Sequence, residues 1–70
     1  MKKVKSPMSG NVWKVLVSAG DEVHADQEVA ILESMKMEIP IESEQNGKVV
    51  EIKYNEGEFV NEGDVLMIIE

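Results

Sequence analysis

The sequence predicts an all-β fold built from two copies of one unit, and three observations carry that prediction. Residues 1–33 superpose on residues 38–70 at a constant offset of 37 without a gap, and only Ser34, Met35, Lys36 and Met37 lack a counterpart. Short runs rich in Val and Ile recur at near-regular spacing, each broken by Gly, Asn or Asp, which is the pattern of strands joined by turns. No window places apolar residues at the period of a helix. Identical pairs mark the repeat at Ser6/Ser43, Gly10/Gly47, Val12/Val49, Gly20/Gly57, Val23/Val60, Ile31/Ile68 and Glu33/Glu70. Conservative pairs extend it: Val4/Ile41, Val15/Ile52, Asp21/Glu58, Val29/Leu66 and Leu32/Ile69. Each copy offers about four short strands, too few to bury a face alone, so the copies are expected to pack as halves of one sandwich or flattened barrel. An approximate two-fold axis is implied.

Taken in order, Val4 lies in a charged run ended by Ser6-Pro7, which reads as a short edge strand and a turn. Gly10 and Gly47 open the longest strand candidates, residues 11–17 and 48–54. Within them Val12 and Val15, and likewise Val49 and Ile52, are three apart and would face opposite sides of a regular strand. A bulge near residues 13–14 and 50–51 would return both members to the core. Ser18-Ala19-Gly20-Asp21 and Asn55-Glu56-Gly57-Glu58 read as turns whose Gly supplies a positive φ. Val23 and Val60 are short apolar points, succeeded by turns at residues 24–27 and 61–64 and the last strands at 29–32 and 65–69.

Seventy residues with no Cys make one small domain, expected over 1–70, that only a Val, Ile and Leu core can stabilise. Seven Lys and no Arg stand against fourteen acidic residues, for a net charge of −7. That balance disfavours nucleic acid, phosphate-rich ligands and anionic membrane surfaces, and favours basic or neutral protein partners. The basic opening Met1-Lys2-Lys3-Val4-Lys5 leads into Ser6-Pro7 and not into an apolar export signal. No run approaches the roughly 18 apolar residues of a membrane span. A cytoplasmic monomer is expected.

The unrepeated centre is the functional candidate. From Ser34 to Glu42 apolar Met35, Met37, Ile39 and Ile41 alternate with Ser34, Lys36, Glu38, Pro40 and Glu42, as in a half-exposed strand. A two-residue turn at Met35-Lys36 pairs residues whose numbers sum to 71: Leu32 with Ile39, Ala30 with Ile41, and on the outer face Glu33 with Glu38. Such turns favour Asn-Gly because both central residues need positive φ, and Met-Lys there implies strain of about 1–3 kcal/mol. A lysine in a turn is ordinarily a solubilising charge. Here the unfavourable turn, the flanking methionines and the position between two copies single Lys36 out as a displayed amine beside a soft apolar surface. Elsewhere the signals are weaker. His24 reads as a solvated turn residue, the acidic clusters lack calcium-loop spacing, and Trp13, whose partner is Val50, reads as a core cap.

Glu33-Ser34-Met35-Lys36-Met37-Glu38 resembles the biotin-attachment signature of the biotinyl/lipoyl family, in which Ala is usual where Ser34 stands. Gly10-x-Val12, Val17-x-x-Gly20-Asp21-x-Val23 and Gly63-Asp64-x-Leu66 are similar to the family's glycine-punctuated frame, so the resemblance spans nearly the whole chain. With its start at Met1, the chain is most similar to the small single-domain members. The resemblance implies a flattened eight-stranded barrel-sandwich hybrid with the target lysine on a type I′ hairpin. It implies that a biotin protein ligase joins biotin covalently to Lys36, and that Met35 and Met37 form the flanking pair favouring biotin. Glu33, Ser34 and Glu38 become recognition residues. Biotin would then carry carboxylate between a biotin carboxylase and a carboxyltransferase, with the chain a carrier and not an enzyme. The family's thumb loop is not expected, because the repeat has no insertion. Lipoate on Lys36 is the alternative, although lipoyl domains usually have Asp before the lysine and Ala after it. An unmodified adaptor module fits less well, since such modules usually lack the tip lysine.

Overall fold

A computed structural model describes every residue of the chain, 1–70. The repeat becomes eight strands: β1 (Lys2–Lys5), β2 (Gly10–Val15), β3 (Glu22–Val23), β4 (Glu28–Ser34), β5 (Met37–Glu42), β6 (Gly47–Ile52), β7 (Phe59–Val60) and β8 (Val65–Ile69). They form two four-stranded antiparallel sheets of order β1-β8-β6-β3 and β5-β4-β2-β7. A shift of 37 converts one order into the other strand by strand, which is the expected two-fold relation. Backbone bonds between the halves obey it too. Gly20 N donates to Val49 O at 2.7 Å and Gly57 N to Val12 O at 2.7 Å, while Ser6 N donates to Asp64 O and Ser43 N to Gln27 O, both at 2.8 Å.

Thirteen buried apolar side chains form a single core. Twelve are repeat partners: Val4/Ile41, Val12/Val49, Val23/Val60, Val29/Leu66, Ala30/Met67 and Leu32/Ile69. Each copy therefore contributes half of the burial that holds the other in place, and neither half has a core of its own. The buried pair Ser6 and Ser43 is explained by local bonding. Their hydroxyls donate to Met8 O at 2.5 Å and Gln45 O at 2.6 Å, so neither is left unsatisfied.

The expected bulges are present. Val12 pairs with Leu32 and Lys14 with Ile31, leaving Trp13 as the extra residue; Val49 pairs with Ile69 and Glu51 with Ile68, leaving Val50. Val15 and Ile52 are thereby turned to pack against the core. Trp13 corrects the expectation placed on it. As the bulged residue it turns outward, 41% exposed, with Lys14 Nζ 5.5 Å from its ring centre, and it does not cap the core. The strands also start one residue earlier and stop two earlier than expected, at Gly10–Val15 and Gly47–Ile52. After the bulge the chain leaves the ladder to carry Val17 into the core. Gly20 and Gly57 have φ of 98° and 93°, as their turns require. The loops joining β2 to β3 and β6 to β7 are of equal length, so no thumb interrupts the first copy.

Candidate cofactor-attachment site at the central hairpin

β4 and β5 pair as the alternation requires: Ala30 with Ile41, Leu32 with Ile39, Glu33 with Glu38 and Ser34 with Met37. Leu32, Ala30 and Ile41 are buried and Ile39 is half-buried, so the inner face of the hairpin is fixed in the core. One residue of slip would expose that face and bury two glutamates, which is why the register is strongly specified. Met35 and Lys36 have φ of 51° and 65°. Both central residues thus occupy the left-handed region that disfavours side chains bearing a Cβ, as a two-residue hairpin turn demands.

That turn holds its side chains out in solvent. Met35 is 91% and Met37 64% exposed, while Lys36, Glu33 and Glu38 are exposed and Ser34 is half-buried. No carboxylate pairs with Lys36; the ion pair of the structure lies elsewhere, Lys53 Nζ to Glu51 Oε1 at 3.2 Å. Glu33 and Glu38 face each other across the strands with no cation between them, a mildly destabilising pair directly beneath the turn. No group of three or more His, Asp or Glu side chains is placed to hold a metal ion, there or elsewhere. The chemistry on offer is that of a primary amine on a flexible stem, able to accept an acyl group and lacking a neighbouring base of its own.

β2 sets the height of the hairpin. Gly10 packs so closely beneath it that a Cβ would lie 2.9 Å from Glu33 O and 3.3 Å from the Ser34 Cβ. Beside the turn an open groove of about 360 Å³ is lined by Ser9, Gly10, Asn11 and Phe59 together with Glu33, Ser34, Met35 and Lys36. The site residues expected from sequence, Glu33 through Glu38, are therefore brought together. Gly10 and Phe59 join the site without being expected there from sequence. For Phe59 a signal exists in the repeat: its counterpart is Glu22, so an aromatic side chain replaces an acidic one at an equivalent position. His24 lies in an exposed turn, away from the hairpin groove.

Residues 2–69 match the biotin/lipoyl family model, described as "Biotin-requiring enzyme". The chain is 62% identical over 64 residues to the biotin/lipoyl attachment protein of Bacillus subtilis, a match covering 91% of this chain and 88% of that protein. It is 45% identical over 64 residues to the biotin carboxyl carrier protein of Streptococcus mutans, covering 91% of this chain and 49% of that one. In the crystal structure of Kluyveromyces lactis urea carboxylase, 6% of that chain superposes on 99% of this one with a TM-score of 0.91 and 33% identity.

Proposed function

We propose, for a chain that belongs to the biotin/lipoyl attachment family, that Lys36 is the residue to which its biotin is joined. The chain is a biotin carrier and not a catalyst. One observation carries the assignment of Lys36. Of the seven lysines, Lys36 alone sits in a turn, and it holds a φ of 65° there, while the others lie in or beside strands. A strained turn kept in an otherwise consistent sequence is a mark of function.

The exposed tip and its open groove suit a covalent group of this kind, since nothing in the fold must move to admit it. In the joining step the Lys36 amine attacks the carbonyl carbon of biotinyl-adenylate, an amide bond forms and AMP leaves. The amine proton passes to a base supplied by the ligase, because this chain pairs no carboxylate with the Lys36 Nζ. Bound biotin supplies a carboxylate-carrying ring on a long tether, shared between a carboxylase site and a transferase site. The chain's own residues hold the tip. Leu32 and Ile39 anchor it, Gly10 sets its height, Met35 and Met37 present an adaptable apolar surface, and Ser34, Glu33 and Glu38 flank it.

Relatives of this chain include parts of carboxylases, which supports carboxylase partners in general. Within this reading a biotin protein ligase, a biotin carboxylase and a carboxyltransferase act on the chain in trans, and the chain works as a cytoplasmic monomer. The name of the Bacillus relative favours lipoate on the same lysine as a second reading. The two separate by intact mass and avidin capture of protein from its native cell. Biotin on the wild type and none on Lys36→Ala is the expected result. Avidin capture of Lys36→Ala would refute the assignment. Met35→Asp with Met37→Ala should shift loading toward lipoate, and an unchanged preference would mean that the methionines do not choose the cofactor.

A further inference from the structure

The repeat contains its own control for what folding requires of each position, and one exposed pair departs from it. β3 and β7 are equivalent two-residue strands, pairing Glu22 with Lys48 and Val23 with Gly47 in one half, and Phe59 with Asn11 and Val60 with Gly10 in the other. Their inward residues agree: Val23 and Val60 are 1% and 0% exposed. Their outward residues do not agree. Glu22 is exposed and charged, while Phe59 leaves 58% of its surface in water. The frame holds a carboxylate at this position in the first copy, opposite Lys48, so an aromatic ring there is not required by the frame itself.

An isolated exposed apolar residue would need no explanation, but Phe59 is not isolated. It shares the groove with Met35, Lys36 and Glu33, and the pairings Phe59–Asn11, Asn11–Glu33 and Glu33–Glu38 set it in one cross-strand row beneath the turn. Met35 and Phe59 line the groove that holds Lys36, Met37 is exposed on the strand leaving the turn, and Glu33 and Glu38, unpaired, add negative charge beneath it. An apolar centre with a charged rim is the anatomy of a protein contact, with the aromatic residue as its anchor.

Building on the assignment of Lys36 as acceptor, we infer that Phe59 is a docking residue for the enzyme that acylates Lys36. The partner surface it fits is an apolar cleft bordered by Lys or Arg side chains, which the unpaired carboxylates would steer into place. A contact made equally before and during the chemical step governs KM and leaves kcat alone.

The test is steady-state biotinylation of the purified chain by biotin protein ligase, comparing Phe59→Glu with the mirror variant Glu22→Phe. Phe59→Glu should raise the ligase KM about tenfold with little change in kcat or melting temperature, and Phe59→Leu should recover part of the loss. Glu22→Phe should leave KM within about twofold of wild type, as a residue outside the contact does. Wild type and Phe59→Glu sharing one KM would overturn the inference and leave the Lys36 assignment intact. An unchanged KM combined with a shift of the Phe59 ring resonances on biotinylation would overturn it too, assigning the ring to the cofactor. Failure of the wild type to be labelled at all would instead count against Lys36. Should Phe59→Glu melt early, Phe59→Leu and the salt dependence of the wild-type KM decide: a KM that does not rise with salt contradicts acidic steering.

Discussion

The two ends of the repeat present the same architecture with different contents. At one end Leu32 pairs with Ile39 and the chain crosses through Met35-Lys36; at its equivalent Ile69 pairs with Lys2, across the first and last strands β1 and β8. Both ends carry a groove. Ser9, Gly10, Asn11, Glu33 and Phe59 line the first, and their counterparts Asn46, Gly47, Lys48, Glu70 and Glu22 line the second. The grooves are therefore a product of the fold, since both copies build one. What the fold does not require is the strained turn, Met35 and Met37 on either side of Lys36, and the phenylalanine, and the end that holds Lys36 combines all of them. The duplicated frame supplies rigidity, and the proposed attachment site lies where the two copies join.

Core truncation at the two ends should have the largest effect and should be equal. Leu32→Ala and Ile69→Ala each remove a fully buried side chain, and each is expected to lose about 2–5 kcal/mol in denaturant melts, a large part of a small domain's stability. A large inequality would break the equivalence of the halves. The glycine pair comes next. Gly10→Ala and Gly47→Ala should each lose about 1–3 kcal/mol by overpacking, because a Cβ at Gly47 would lie 2.5 Å from Glu70 O. Only Gly10→Ala displaces Glu33 and Ser34, so only it should slow biotinylation beyond its loss of folded protein.

At the turn the sign reverses. Met35→Asn with Lys36→Gly should stabilise the domain by about 1–3 kcal/mol, read as a higher melting temperature, because it relieves two positive-φ side chains. The smallest effect belongs to Tyr54, the half-buried counterpart of the buried Val17. The half-buried Tyr54 phenol donates to Asp64 Oδ2 at 3.2 Å, and burial, that bond and the charges of Asp64 and Glu58 raise its pKa above the ordinary 10.0. Its contribution is complete below the unfolded value and is lost as pH rises through the higher folded value. Stability should therefore fall more steeply in the alkaline range for wild type than for Tyr54→Phe, and coincident pH profiles would show that the bond adds nothing.

Much of this was legible because period, register and repeat all act locally. The alternation from Ser34 to Glu42 determines the hairpin pairing, and the odd spacing of Val12 and Val15 requires the bulge. The outward turn of Trp13 was not legible, because the spacing placed a bulge near residues 13–14 without saying which of the two would be the expelled residue. Asp26 takes a φ of 70° where its counterpart Gly63 takes 88°, a left-handed position disguised by a residue that tolerates it. Gly10 gives no hint in sequence of how closely β4 approaches. Phe59 lies far along the chain from Lys36 and reaches the groove only through the pairing of β7 with β2.

Peptide mapping of the chain after reaction with biotin protein ligase, ATP and biotin tests the central claim most directly. One biotinyl group is predicted, on Lys36 alone among the seven lysines, with Lys36→Arg unlabelled and melting like the wild type. Biotin spread over the strand lysines, or retained by folded Lys36→Arg, would contradict it.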